Sequence, residues 1–531
     1  MIIFSIIFIL ISIAVNNRRD ISIVYNRLIV LVVLCSIYLI YMNINNISAG
    51  IILFNGLFFL ENYSIISICF ILILSVFILL ITSFYPRKFI NTDNIIIKNR
   101  PLNVLFLNKS SEQFRILEYP LLLLFCISGA IFLISSSDIV SIFLSIELQS
   151  YSLYLIAAIY RNSEYSVGAS LMYFLLGSLS SCIILLGLSL LYINIGNTNL
   201  ENIFVINSIS TAYNSFFIEN NTLFSYISMQ YLYIQMAFLI LSVGFLFKIS
   251  AAPFHFWSPD VYNAIPTIVT TFVAIIPKIS ILVLFYNFIN YTTGLYWSWL
   301  NNIIMSVILS LIIGSVLGLT QYKIKRLYAY STISHLGFIL LSLCINNIES
   351  SKAFFFYLIQ YSISNLNAFI ILISIGYTLY LYTSNINIKD SINSPIQYIY
   401  QLKGYFYINP IISISFIITL FSFIGIPPMI GFFAKQMILN IAISQGFIFT
   451  SIIAIIASVI SAVYYLMIVR NLFFYNTELK ENKIKIINNN LIFGKNITIS
   501  SYYSLTISVL TLYILIYIYY DQEFMYLLSN I

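Results

Sequence analysis

Phe247-Lys248-Ile249-Ser250-Ala251-Ala252-Pro253-Phe254-His255-Phe256-Trp257-Ser258-Pro259-Asp260 decides what kind of fold this chain adopts. A lysine, a histidine and two prolines stand in or beside an apolar run over 233–261. The run is long enough to cross a bilayer, which takes about 20 residues at helical rise. Proline removes a backbone donor and clashes with the preceding turn, so a helix here breaks near mid-membrane. Backbone exposed at that depth is tolerated only where protein or a water-filled cavity surrounds it. The arrangement recurs at Gly425-Ile426-Pro427-Pro428, followed by Lys435, in the run 409–441.

Outward from these two runs the chain is apolar nearly throughout. Of its 531 residues 61% are hydrophobic and 8% charged, against roughly 25% charged in a soluble domain. Candidate spans fall at 2–15, 28–42, 64–84, 119–134, 139–160, 170–193, 233–261, 266–290, 302–320, 328–345, 354–381, 409–441, 447–469 and 503–520. The predicted fold class is therefore an all-α polytopic membrane protein of about fourteen transmembrane helices. The apolar run at residues 2–15 precedes Arg18 and Arg19. That is the reverse of a cleaved signal peptide, so it reads as a retained first span.

Charge checks the count independently. Alternate loops hold twenty of the 24 basic residues: Arg18 to Arg27, Arg87 to Arg115, Arg161, Lys323 to Arg326, Lys389 and Lys403, and Arg470 to Lys495. The opposite loops hold only Lys352, among Glu61, Glu201, Glu219, Glu349, Asp521 and Glu523. By the positive-inside rule the basic face lies toward the compartment of synthesis and both termini lie opposite. The net charge of +7 then follows from topology and calls for no nucleic-acid partner. Broken runs seven and twelve are five spans apart, as two five-helix repeats would require. Because five is odd, the copies are expected to be inverted. The expected division is an N-terminal three-helix segment over 1–84, repeats over 119–290 and 302–469, and a last span over 503–520.

Lys248, Lys278, Lys435 and the acid Glu147 lie inside spans. A charge at bilayer depth costs at least about 2.5–3.5 kcal/mol, so four need a reason. Structural ion pairs or snorkelling ends are the bland one. Snorkelling fits Lys278 poorly, because it stands near the centre of its run. A lysine desolvated at midplane has its charged form disfavoured, and a nearby carboxylate restores it, so proton affinity depends on their separation. That is the property a proton relay needs. His335, in the tenth run, has a side-chain type suited to carrying protons; His255, at the first break, reads as structural. The five cysteines lie in apolar runs without a CxxC and read as small core residues. No glycine-rich phosphate loop, cysteine cluster or paired histidines mark a cofactor site. The richness in Tyr, Phe, Ile and Asn suggests an A/T-rich organelle genome.

The run from Phe247 to Tyr262, continued through Asn263-Ala264-Ile265-Pro266-Thr267 to Lys278, resembles the antiporter-like membrane subunits of respiratory complex I. So do Ile146-Glu147-Leu148-Gln149, Ala329-Tyr330-Ser331-Thr332-Ile333-Ser334-His335-Leu336-Gly337, and Gly425-Ile426-Pro427-Pro428 to Gly431-Phe432-Phe433-Ala434-Lys435. Together these pieces span about 119–470. The context after Glu147, and Lys rather than Glu at 435, look most like the subunit 2 type. The resemblance implies a fourteen-helix subunit that moves protons across the mitochondrial inner membrane, with a bacterial inner membrane as the alternative. It implies Glu147 paired with Lys248, Lys278 and His335 on a central polar axis, and Lys435 linking toward the next subunit. It places NADH, FMN, iron–sulfur clusters and ubiquinone on other chains, with none on this one. Expected neighbours are subunits of the 4 and 4L types, accessory subunits and membrane lipids. An Mrp-type cation/proton antiporter, or a structural subunit that translocates nothing, remains open. The first three spans are present here, although animal versions of this subunit resemble a truncated form.

Overall fold

A bilayer offers backbone amides no water, so the chain satisfies them internally, as helices. The computed structural model describes residues 1–15, 22–43, 50–83, 118–160, 163–206, 223–291, 296–382, 396–474 and 501–519. The polar stretches 85–118 and 470–502 on the basic side, and 194–228 on the other, are long enough to pack on neighbouring subunits; the first two lie almost wholly outside these residues, and 194–228 and 384–408 do so in part. Among the described residues the helices are α1 (Ile2–Val15), α2 (Ser22–Asn43), α3 (Asn62–Ser83), α4 (Glu118–Ser135), α5 (Ile139–Ala158), α6 (Glu164–Ile195), α7 (Leu223–Ile249) and α8 (Trp257–Ala264). They continue with α9 (Thr267–Tyr291), α10 (Tyr296–Leu319), α11 (Ile324–Ile345), α12 (Ile348–Tyr382), α13 (Pro410–Ile424), α14 (Ile430–Ser444), α15 (Ile448–Phe473) and α16 (Ser501–Ile516).

Ten of the described helices are long and apolar enough to cross a membrane, and five shorter apolar helices accompany them. Every run expected to span coincides with a helix or a broken pair. Run seven is α7 and α8, and run twelve is α13 and α14. The most enclosed helices are α9, α11 and α12, whose apolar windows are 100%, 94% and 89% buried, while those of α2 and α15 are 33% buried. Lys278 and His335 thus stand on two of the most enclosed helices. The many serines and threonines are mostly self-satisfied, as where Ser306 Oγ donates to the Ile303 carbonyl at 2.7 Å, so they mark no site by themselves.

One departure from an all-helical chain is a small ribbon. β1 (Ile51–Leu53) pairs antiparallel with β2 (Phe58–Leu60), Ile51 opposite Leu60. The turn between them holds Asn55 at φ 55° and Gly56 at φ 90°, conformations these residue types tolerate and most others do not. The ribbon is tied to the start of α5 by Ser137 N donating to the Leu57 carbonyl at 3.1 Å. Ser137 also accepts from Leu200 N at 3.0 Å through its carbonyl. The loops bearing Glu61 and Glu201 therefore meet on one face. The basic loops meet likewise: Ile399 N donates to Tyr322 O at 3.1 Å and Gly404 N to Asn471 O at 3.2 Å.

Candidate functional site

Each break leaves carbonyls at a helix end, and the two breaks satisfy them differently. After α7, Ser250 takes a positive φ of 68°, and Trp257 on α8 reaches back so that its indole N–H donates to the Phe247 carbonyl at 3.0 Å. After α13, Gly425 turns the chain at φ 84°. Here the cap is Lys435, whose ammonium donates to Phe423 O at 2.8 Å and Ile424 O at 2.9 Å. A cation belongs at the carbonyl end of a helix, where the dipole is negative. Gly431 makes the approach possible: a Cβ there would lie 1.7 Å from the Ser422 carbonyl oxygen.

The first charged pair lies beside the first break. Lys248 Nζ stands 4.0 Å from Glu147 Oε1, with side chains 8% and 14% exposed. The ammonium donates instead to the Tyr154 hydroxyl at 3.3 Å. A small, partly open cavity adjoins them, lined among others by Gln149, Tyr154, Lys248, Trp257 and Pro277. Gln149 Oε1 accepts from Ser280 Oγ at 3.0 Å, tying α5 to α9.

Next along α9 is Lys278, 1% exposed. Its ammonium donates to Thr332 Oγ1 on α11 at 3.2 Å and stands 5.5 Å from the Tyr262 ring centroid. Among the described residues no carboxylate pairs with Lys278 or Lys435. One face of α11 carries the line onward, because Thr332, His335 and Phe338 recur at helical spacing. His335 is buried, with Nδ1 2.8 Å from the Tyr357 hydroxyl and Nε2 3.4 Å from that of Tyr465. Phe338 presents its ring to Lys435 Nζ at 5.5 Å. The five residues singled out from the sequence thus fall into one acid–base pair, at Glu147 and Lys248, and one line from Lys278 through His335 to Lys435. His255 stays outside this line, its ring 4.5 Å from that of Phe256.

Sequence reasoning missed three parts of the site. Tyr154 was lost among 42 tyrosines. Lys325, counted with the basic loops, is buried at the start of α11 and donates to Ile265 O at 2.7 Å, capping the end of α8. Its neighbour Arg326 pairs with Asp260, also on α8. On α12, Asn365 and Asn367 are buried with neither amide atom hydrogen-bonded inside the protein. Amides crowded into an apolar run were a legible signal for them.

A helical membrane bundle with lysines seated at helix breaks belongs to a recognisable class of ion-moving subunits. The family model for the transmembrane region of NADH:quinone oxidoreductase and Mrp antiporter proteins matches residues 136–461. The chain belongs to this family, and within it to the chain 2, or subunit N, type. It is 42% identical to the NADH-ubiquinone oxidoreductase chain 2 of Rhizopus oryzae over 98% of this chain and 96% of that one. It is 34% identical to the NADH-quinone oxidoreductase subunit N of Rhodobacter capsulatus over 67% of this chain and 68% of that one. A chain in the structure of respiratory complex I from Thermus thermophilus with bound aureothin superimposes with a TM-score of 0.65 at 20% identity, covering 97% of this chain and 98% of that chain. That last likeness is one of fold.

Proposed function

We propose that this chain is a membrane-arm subunit of a proton-pumping NADH:ubiquinone oxidoreductase and carries protons while the redox chemistry runs on other subunits. The observation that carries the reading is the set of buried lysines seated beside two broken helices, one facing Glu147 at 4.0 Å and two without a carboxylate partner among the described residues. Two unit charges at that separation attract by about 4 kcal/mol at an effective dielectric of 20. Moving one charge against 100 mV costs about 2.3 kcal/mol. A neighbour's charge that weakens the Glu147–Lys248 pair by half is therefore on the scale of the work to be done. The displaced proton passes along Lys278, Thr332 and His335 toward Lys435, which faces the next subunit.

In this reading NADH, FMN, iron–sulfur clusters and ubiquinone are held by partner subunits, and subunits of the 4 and 4L types flank this one. The membrane is the mitochondrial inner membrane, with the basic loops in the matrix and both termini in the intermembrane space. Fourteen spans divide into the segment 1–84, inverted repeats over 119–290 and 302–469, and a last span over 503–520.

Two experiments test this. A native gel of the source membranes, stained for NADH dehydrogenase activity, has this chain in the active high-mass band. In sealed vesicles Lys278→Met lowers protons pumped per electron; an unchanged ratio refutes the axis. Sodium-sensitive transport without dependence on NADH would favour an Mrp-type antiporter, a reading the family description admits.

A further inference from the structure

An ammonium and a carboxylate left to themselves close to about 2.8 Å, the length of a charge-assisted hydrogen bond. Lys248 and Glu147 stand at 4.0 Å. The difference has an identifiable cause two turns along α5 from Glu147. Tyr154, on α5 like Glu147, accepts the lysine's hydrogen bond at 3.3 Å. Its ring is fixed by Tyr173, edge-on at 4.7 Å, and by Phe174 at 5.7 Å. Its hydroxyl occupies a notch on α6 made by Gly177, where a Cβ would lie 1.9 Å from the hydroxyl oxygen. Around the pair, Glu147 Oε1 has no hydrogen bond within the protein and Gln149 Nε2 has none either. The carboxylate is thus kept within electrostatic range of the lysine and out of contact with it.

We propose that Tyr154 is a positioning residue that holds the Lys248 ammonium off Glu147, with Gly177 supplying the space its hydroxyl needs. A contact pair resists opening, because both charges lose their partner at once. A separated pair responds smoothly to a charge appearing nearby, as the falloff of Coulomb energy with distance dictates. This inference rests on the reading that the pair takes part in translocation, but its geometric core does not depend on it.

The test is the whole complex carrying Tyr154→Phe, which keeps the ring packing and removes only the acceptor. A cryo-EM map of that complex is expected to show Lys248 in contact with Glu147, at about 2.8 Å. NADH-driven proton pumping in vesicles is expected to fall about tenfold, the scale of one hydrogen bond to a charged group. Adding Glu147→Asp, which retracts the carboxylate by one methylene, is expected to raise pumping by the Tyr154→Phe complex; a purely structural role for Tyr154 gives a further loss. A pair that stays near its present separation overturns the proposal, as does a Tyr154→Phe complex that fails to assemble. A closed pair with undiminished pumping supports the positioning role and refutes instead the pair's part in translocation.

Discussion

Replacing Gly431 with alanine perturbs the second break without touching a charged group. The new Cβ would stand 1.7 Å from the Ser422 carbonyl oxygen, where an ordinary carbon–oxygen approach is roughly 3.3 Å, so α13 and α14 must part by about 1.5 Å. Lys435 lies one turn further along α14, and its bonds to Phe423 O and Ile424 O, at 2.8 and 2.9 Å, do not survive that separation together. A hydrogen bond to a charged group contributes about 1.5–3 kcal/mol. Forcing an extra methyl into a packed contact costs about 1–3 kcal/mol. Together these lower the population of the seated lysine by about 100-fold to 10,000-fold. The assay is NADH-driven acidification in sealed vesicles, normalised to assembled complex on a native gel. Gly168→Ala, at a position with open space around it, is the control and should be silent. If Gly431→Ala assembles and pumps like the control, the close contact of the two half-helices does not set the lysine's position.

The breaks themselves make two further predictions. Trp257→Phe removes the indole donor that meets the Phe247 carbonyl at 3.0 Å, leaving that carbonyl with the Ser250 N–H alone at 3.1 Å and losing a hydrogen bond worth about 0.5–1.5 kcal/mol. The expected result is a lower temperature of half-inactivation for the purified complex. Lys325→Met removes the cap on Ile265 O and should reduce the assembled complex on native gels several-fold. Lys323→Met, two residues away and partly exposed, should leave it unchanged.

The sequence exposed the two breaks because each proline site has a second breaker beside it, Ser250 before Pro253 and Gly425 before Pro427-Pro428, both at positive φ, whereas Pro277 alone is carried inside α9. It exposed the lysines and Glu147 because charge in an apolar run is costly wherever the chain later folds. What it hid were contacts between distant segments. Nothing local to Tyr154 distinguishes it from its neighbours; its significance comes from Gly177 on another helix and Lys248 on a third. Lys325 looked like a loop cation because two more basic residues flank it, and only the fold turns it inward toward Ile265. The ribbon over 51–60 escaped the sequence reading, although Asn55-Gly56 between apolar runs is a hairpin signal by composition. The hydrophobicity of its strands concealed it among helices.

The seat of Lys435 has a consequence for how often the protein must rearrange. An ammonium carries three N–H donors, and Lys435 directs its hydrogen bonds to two carbonyls. A neutral amine still carries two. The end of α13 therefore stays covered whether or not the nitrogen holds its extra proton. On the proposed reading, proton exchange at Lys435 leaves the helix end capped throughout, and no unwinding accompanies it.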